Sequence, residues 1–234
     1  MALENYLSAI WVTITVILLY VLYYSIAYTK IYRWIYRTFA VKLNESVFHA
    51  VFFRLCGFVI FGLLAALVFR IIFKMDFDFL SLKINYLKEI TPWFLGLLSV
   101  AIIVPYINVK KSKRTHYPQF KINNWTNSYK WLSYITWTLY LIGYEFMFRG
   151  LLLFGTIAEF GCYFAVILNI ILYAIVHIPK GKKEVLGCFI LGPILCAVAI
   201  ITHNILIPIV LHVSVCLCNE YFSIRKEIAN LKQL

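Results

Sequence analysis

The sequence predicts an all-α integral membrane protein of about seven transmembrane helices. Three observations carry this. The chain has 234 residues, of which 63% are apolar and 14% charged, against about a quarter charged in an ordinary soluble domain. Its mean hydropathy is +0.84. That much apolar sequence cannot be hidden inside one soluble core of this size. The apolar residues gather into runs of membrane-spanning length, and the basic residues fall on alternate connections between them. The same composition excludes disorder, a coiled coil and a disulfide-stapled secreted module. The net charge of +12 does not imply a nucleic-acid partner, because the basic residues sit between hydrophobic runs, where they set orientation in the bilayer.

The runs cover residues 6–28, 50–73, 92–109, 131–155, 160–178, 187–202 and 205–222. The first has no basic segment before it and is longer than a signal-peptide core, so it reads as a retained span. The segment after it carries Lys30, Arg33, Arg37 and Lys42 against Glu45. An eighth span is the alternative within the aromatic stretch 31–54, but spaced basic residues favour an interfacial helix. The second run holds Arg54 and Arg70 near its two ends, where both can snorkel. The loop 74–91 is balanced in charge. After the third run, the linker 110–130 carries Lys110, Lys111, Lys113, Arg114, Lys121 and Lys130 with no acid.

The turn 156–159 carries only Glu159. The loop after the fifth run holds Lys180, Lys182 and Lys183 against Glu184, and the end of the chain holds Arg225, Lys226 and Lys232 against Glu227. Sixteen of the 22 basic residues therefore lie on alternate connections. That pattern places the N-terminus outside and the C-terminus in the cytosol. With the short loops, it points to a bacterial inner membrane. The chain divides into N-terminal membrane helices and basic loops (1–130), a C-terminal helical core (131–222) and a cytosolic tail (223–234). There is no internal repeat. Cys56, Cys162, Cys188, Cys196, Cys216 and Cys218 show no Cys-x-x-Cys spacing and read as small hydrophobes.

An ionised group in hydrocarbon costs at least ~2.5–3.5 kcal/mol, so intramembrane charge needs a partner or a purpose. Glu220, at the cytosolic end of the last run, reads as a boundary charge. Glu145, Arg149, His177 and His212 are deeper. Glu145 and Arg149 are spaced i, i+4 and share a helix face. The plain reading is a self-neutralising ion pair, with each histidine packed and hydrogen-bonded. Two polar stripes argue for more: Asn169, Tyr173 and His177 on the fifth run, and His212, Cys216 and Asn219 on the seventh. Together with the Glu/Arg face they can enclose a small wet cavity. There a carboxylate fixed by an arginine can take a proton from water, and imidazoles can hold that water or donate to a developing oxyanion. This is a hydrolase constellation. His-Glu-x-x-His is absent. One carboxylate and two histidines suit Zn²⁺, but Arg149 would compete with a cation, so no cofactor is expected, with a divalent metal such as Zn²⁺ as the alternative.

These residues resemble the CAAX-protease and bacteriocin-processing (Abi) family of intramembrane glutamate-type proteases. Its pattern is Glu-Glu-x-x-x-Arg, then Phe-x-x-x-His, then His-x-x-x-Asn on successive helices. Here the motifs read Tyr144-Glu145-Phe146-Met147-Phe148-Arg149, Tyr173-Ala174-Ile175-Val176-His177 and His212-Val213-Ser214-Val215-Cys216. Order and placement match across about the C-terminal 40% of the chain. The resemblance implies an endopeptidase that hydrolyses peptide bonds at the membrane with Glu-activated water. Glu145 would be the base, Arg149 its orienting partner, and His177 and His212 would position water and the oxyanion. Tyr144, Tyr173, Cys216 and Asn219 would support them. The implied substrate is a membrane-associated peptide or protein, lipidated or leader-like, met in the bilayer.

Two departures stand out. The family's first glutamate is Tyr144. Adjacent helix positions differ by ~100° in direction, so Glu145 cannot occupy the same place. The family's asparagine is Cys216, a weaker donor, with Asn219 one turn further along the same face. A non-catalytic scaffold or immunity-type protein is therefore the alternative, and a proton-coupled transporter the second alternative. The run boundaries also place His177 near the cytosolic surface while Glu145 lies ~21 Å inside. A shared site requires a later start, a steep tilt or a re-entrant turn, for which the region Gly155–Gly161 is the candidate.

Overall fold

The computed structural model describes residues 2–39, 44–77, 87–111 and 117–231, with side chains withheld at 2–7 and 87–90. Lys42, Lys113, Arg114, Lys232 and residues 78–86 of the loop 74–91 lie outside the described residues. Within them the architecture is entirely helical: α1 (Ala2–Ser25), α2 (Lys30–Phe39), α3 (Glu45–Ile71), α4 (Leu87–Lys111), α5 (Asn127–Glu145), a π-helical segment (Phe146–Leu153), α6 (Phe154–Ile175), α7 (Lys182–Thr202) and α8 (Leu206–Leu231). Six stretches among the described residues are long and apolar enough to cross a membrane; one of them, Asn127–Ile175, contains α5, the π segment and α6.

That long stretch bends back on itself. Gly161 has φ 75° and ψ 164°, a conformation that breaks the helix and that a Cβ would disfavour. The fourth pass therefore runs through 160, past the end expected at 155, and the turn expected at 156–159 is helical. Thr156 is buried and bonds back to the Leu152 carbonyl at 2.7 Å, and the Glu159 carboxylate accepts the Ala9 N–H of α1 at 2.5 Å. No local signal stops the helix before the glycine. The α1 stripe Ala9, Val12, Val16, Leu19 and Tyr20 is buried while Trp11, Leu18 and Val21 are exposed, which leaves one face on the bundle and one for lipid.

α2 is ten residues long, too short to cross a bilayer, and buries no side chain. Residues 40–43 of the stretch lie outside the described part. α3 starts at Glu45, capped by Asn44, whose side chain accepts the Ser46 N–H at 2.9 Å. It widens into a π turn at Phe58–Leu64, against α5. Here small residues let the backbones meet: a Cβ added to Gly143 would stand 3.1 Å from the Gly62 nitrogen and 3.2 Å from Phe58 Cα. Close backbone approach is how helices associate where no hydrophobic force separates protein from lipid.

Two boundary charges were misread from the sequence. Arg54 does not snorkel; it is 2% exposed. Its Nη1 donates to Ser133 O (2.9 Å), Ser133 Oγ (3.1 Å) and Thr136 Oγ1 (3.2 Å), and its Nε and Nη2 donate to Gln119 Oε1. Glu220 is fully buried, accepts from Ser133 Oγ at 2.6 Å and lies 3.7 Å from Arg54. The guanidinium sits between the rings of Trp137 and Phe120, 4.8 and 5.2 Å from their centroids. Arg54 and Glu220 thus clamp α3, α5, α8 and the segment at 118–120 together. The charges became affordable inside because each finds several partners. Arg70 fits the surface reading: it is exposed and pairs with exposed Asp76. The expected tail is helical too, since α8 continues to Leu231.

Candidate active site

The turn at Gly161 settles the depth of the histidines. Glu145 precedes it by 16 residues and His177 follows it by 16 (161 − 145 and 177 − 161). Two antiparallel arms of equal length, ~24 Å at 1.5 Å per residue, bring both residues to one level. His177 caps the end of its arm, where the chain turns through Ile178–Lys180. A helix that had ended at 155 would have put His177 at the surface.

At that level Glu145 and Arg149 are fully buried, and Arg149 Nη1 donates to Glu145 Oε1 at 2.9 Å. His212 arrives from α8 and its Nδ1–H donates to the same oxygen at 2.5 Å. The guanidinium lies over the Tyr173 ring, 4.4 Å from its centroid. These contacts use only part of the polar capacity present: Glu145 Oε2 and Arg149 Nε and Nη2 are buried without a hydrogen-bond partner. The π segment starts directly after Glu145. Arg149, four residues on within it, reaches back to the carboxylate. Such turns recur at functional sites.

A cavity of about 830 Å³ opens beside this cluster, between α4, α5, α7 and α8. His212, Cys216 and Asn219 line it from α8, and Tyr144, Tyr173 and His177 from the hairpin. Glu145 and Arg149 do not line it. They stand behind His212, which is the group that meets the cavity on their behalf. His177 is held separately. Its Nδ1–H donates to the Tyr173 carbonyl at 2.8 Å, so its Nε2 keeps a lone pair, and Lys180 Nζ donates to that at 3.2 Å. Burial, then the Lys180 ammonium, push its pKa down to about 2, so this imidazole is neutral at physiological pH. Burial lowers the pKa of Lys180 as well. The aromatic walls join the two histidines: the Tyr144 ring lies 6.2 Å from His177 and 6.0 Å from His212, centroid to centroid.

Of the residues singled out in the sequence, Glu145, Arg149 and His212 are in direct contact, and Tyr144, Tyr173, His177, Cys216 and Asn219 share the cavity. Asn219 is on the expected face, but its amide donates to the Val215 carbonyl of its own helix at 3.0 Å. Asn169 lies elsewhere and ties the hairpin by donating to the Phe148 carbonyl at 2.6 Å. Sequence reasoning missed Lys180, Cys188 and Trp137 as cavity residues. Lys180 follows His177 by one helical turn, which was a usable signal, but it was absorbed into the charge pattern of the loop.

Residues 126–218 match the family model described as Rce1-like, type II CAAX prenyl endopeptidase Rce1-like. That segment is similar to the CAAX-protease family. It contains all three motifs, the Gly161 hairpin, α7 and the cavity-lining face of α8 up to Cys216. No curated protein and no solved structure matches the chain. Among the described residues, no three His, Cys, Asp or Glu side chains stand close enough to hold a metal ion. This segment places an Arg-braced carboxylate behind a cavity-facing histidine. Chemically, this can hold one imidazole in a fixed tautomer and stabilise the cation it becomes on accepting a proton.

Proposed function

We propose that the protein is an intramembrane endopeptidase of the CAAX-protease type, acting on a membrane-associated, lipidated or leader-like peptide. The observation that carries this is the 2.5 Å bond from His212 Nδ1 to Glu145 Oε1 at the wall of the cavity. The carboxylate holds Nδ1–H, which leaves the other ring nitrogen, Nε2, as the base. His212 takes the proton of the attacking group and returns it to the leaving amine, and one water is consumed overall. Glu145 thus acts through His212, and Arg149 holds it in place. The unpartnered hydroxyl of Tyr144 and the ammonium of Lys180 supply donors for the oxyanion. A bacterial inner membrane, with the basic loops on the cytosolic side, is the setting that fits the charge pattern.

The test compares membrane-proteome N-termini from host cells expressing wild type or Glu145→Gln at matched levels of folded protein. Termini present only with wild type are expected, and they identify the substrate. One observation favours the scaffold reading instead: the carboxylate does not line the cavity, and Tyr144 stands where the family has its first glutamate. Identical termini in both strains would transfer the assignment to that reading.

A further inference from the structure

We propose that Cys216 is the nucleophile of this site, forming with His212 and Glu145 a thiol–imidazole–carboxylate relay. The inference rests on the endopeptidase reading and names the group that attacks. His212 and Cys216 are one turn apart on α8, and both line the cavity. Side chains on a helix lean toward its N-terminus, so the thiol, four residues after His212 on the same face of α8, leans back toward the imidazole. The Nδ1 of that imidazole is already committed to Glu145 at 2.5 Å, which leaves Nε2 as the nitrogen able to take a proton. Nucleophile, base and orienting carboxylate thus stand in sequence, the arrangement that activates a weak nucleophile. Independently, Tyr144, only 1% exposed, lines the same cavity, and its buried hydroxyl has no hydrogen-bond partner. A buried donor left empty in that position suits an oxyanion formed beside Cys216.

The step balances without a co-reactant other than water. The Sγ–H proton passes to His212 Nε2 as Sγ attacks the carbonyl carbon of the peptide bond, and the oxyanion accepts the Tyr144 O–H. The C–N bond breaks, and the amine leaves with the proton from His212, giving a thioester on Cys216. Water then loses a proton to His212 and attacks the thioester. The C–S bond breaks, the acid is released, and His212 returns the proton to sulfur. Nothing is oxidised or reduced.

The experiment has two readouts on the full-length protein in lipid nanodiscs or host membranes. First, iodoacetamide alkylation is resolved by residue. Cys216 in wild type should react at least about tenfold faster than Cys216 in His212→Gln, because the thiolate is the reactive form. Equal rates overturn the proposal. Second, the membrane N-termini are compared for wild type, Cys216→Ser and Cys216→Asn, each checked for unchanged thermal unfolding. The serine variant changes one atom, and the asparagine variant installs the family's residue. Loss of cleavage in both by at least about a hundredfold is expected for a nucleophile. Cleavage retained or raised in Cys216→Asn means that water attacks directly and overturns the thiol role alone. Wild type that generates no termini overturns the endopeptidase reading, and the role of Cys216 with it.

Discussion

Removing the two members of the buried Glu145–Arg149 pair should not cost the same, and the structure says which costs more. Both side chains are fully buried, and their contact is a single 2.9 Å bond. Breaking a buried pair by deleting one partner typically costs ~3–5 kcal/mol, because the survivor is an uncompensated buried charge. Glu145→Gln strands the Arg149 guanidinium. Two of its three nitrogens, Nε and Nη2, are already without partners, and what remains nearby is the Tyr173 ring at 4.4 Å, worth ~2 kcal/mol or a little more when desolvated. This variant should lie at the upper end, ~5 kcal/mol. Arg149→Met leaves Glu145 with the 2.5 Å bond from His212, which can carry the compensating charge. That variant should lie at the lower end, ~3 kcal/mol.

The double variant removes both charges and should be less destabilised than the sum, with a coupling of at least ~2 kcal/mol in the cycle. Equilibrium unfolding in mixed micelles, on purified protein, measures all four corners. A larger loss for Arg149→Met than for Glu145→Gln would refute the role given to His212. Additive single variants would refute the pair itself.

Two further outcomes follow from the geometry. His177 is neutral when folded, with a pKa near 2, against about 6.5 when unfolded. Between those values the unfolded chain binds the extra proton, so stability is full above the unfolded value and falls with pH below it. The loss is ~1.4 kcal/mol per pH unit at most, or ~2 kcal/mol from about pH 6.5 to about pH 5. Thermal unfolding of wild type should show that slope and His177→Gln should lack it; parallel curves would refute a neutral, buried His177. Gly143→Ala should cost ~1–3 kcal/mol by overpacking, because its Cβ would meet backbone at 3.1–3.2 Å. Gly96→Ala, with nothing within 4 Å, should stabilise by up to ~1 kcal/mol as a helix substitution; equal effects in the same unfolding assay would refute the close contact of α3 and α5.

The membrane class, the helical content and the catalytic-type motifs were legible because each rests on local pattern. Hydropathy runs report desolvation residue by residue, and the i, i+4 spacing of Glu145 with Arg149 and of His212 with Cys216 is fixed by helix geometry alone. The family resemblance was legible for the same reason: three short motifs, each within one helix, in a set order. Arg54 and Glu220 were not legible. Each looks like a charge at the edge of a run, and only the arrival of Ser133, Thr136 and Gln119 from distant parts of the chain makes their burial affordable. The end of the fourth pass was misplaced because a glycine is compatible with many conformations, and only the fold selects the φ of 75° at Gly161.

What the sequence determined by itself is therefore the solvent this chain folds in, the residues able to do chemistry, and which of them share a helix face. These follow from transfer free energies and from the helical repeat, neither of which needs a partner. What only the tertiary structure decided is which of those residues meet, at what depth, and which of them faces the cavity. The hairpin at Gly161 levels His177 with Glu145. The approach of α8 then puts His212, and not Glu145, at the cavity wall. The physical reason is that an intramembrane carboxylate is tolerable only with donors around it, so the packing that brings Arg149 and His212 to Glu145 Oε1 also keeps the carboxylate out of the cavity lining and leaves the histidine at its wall.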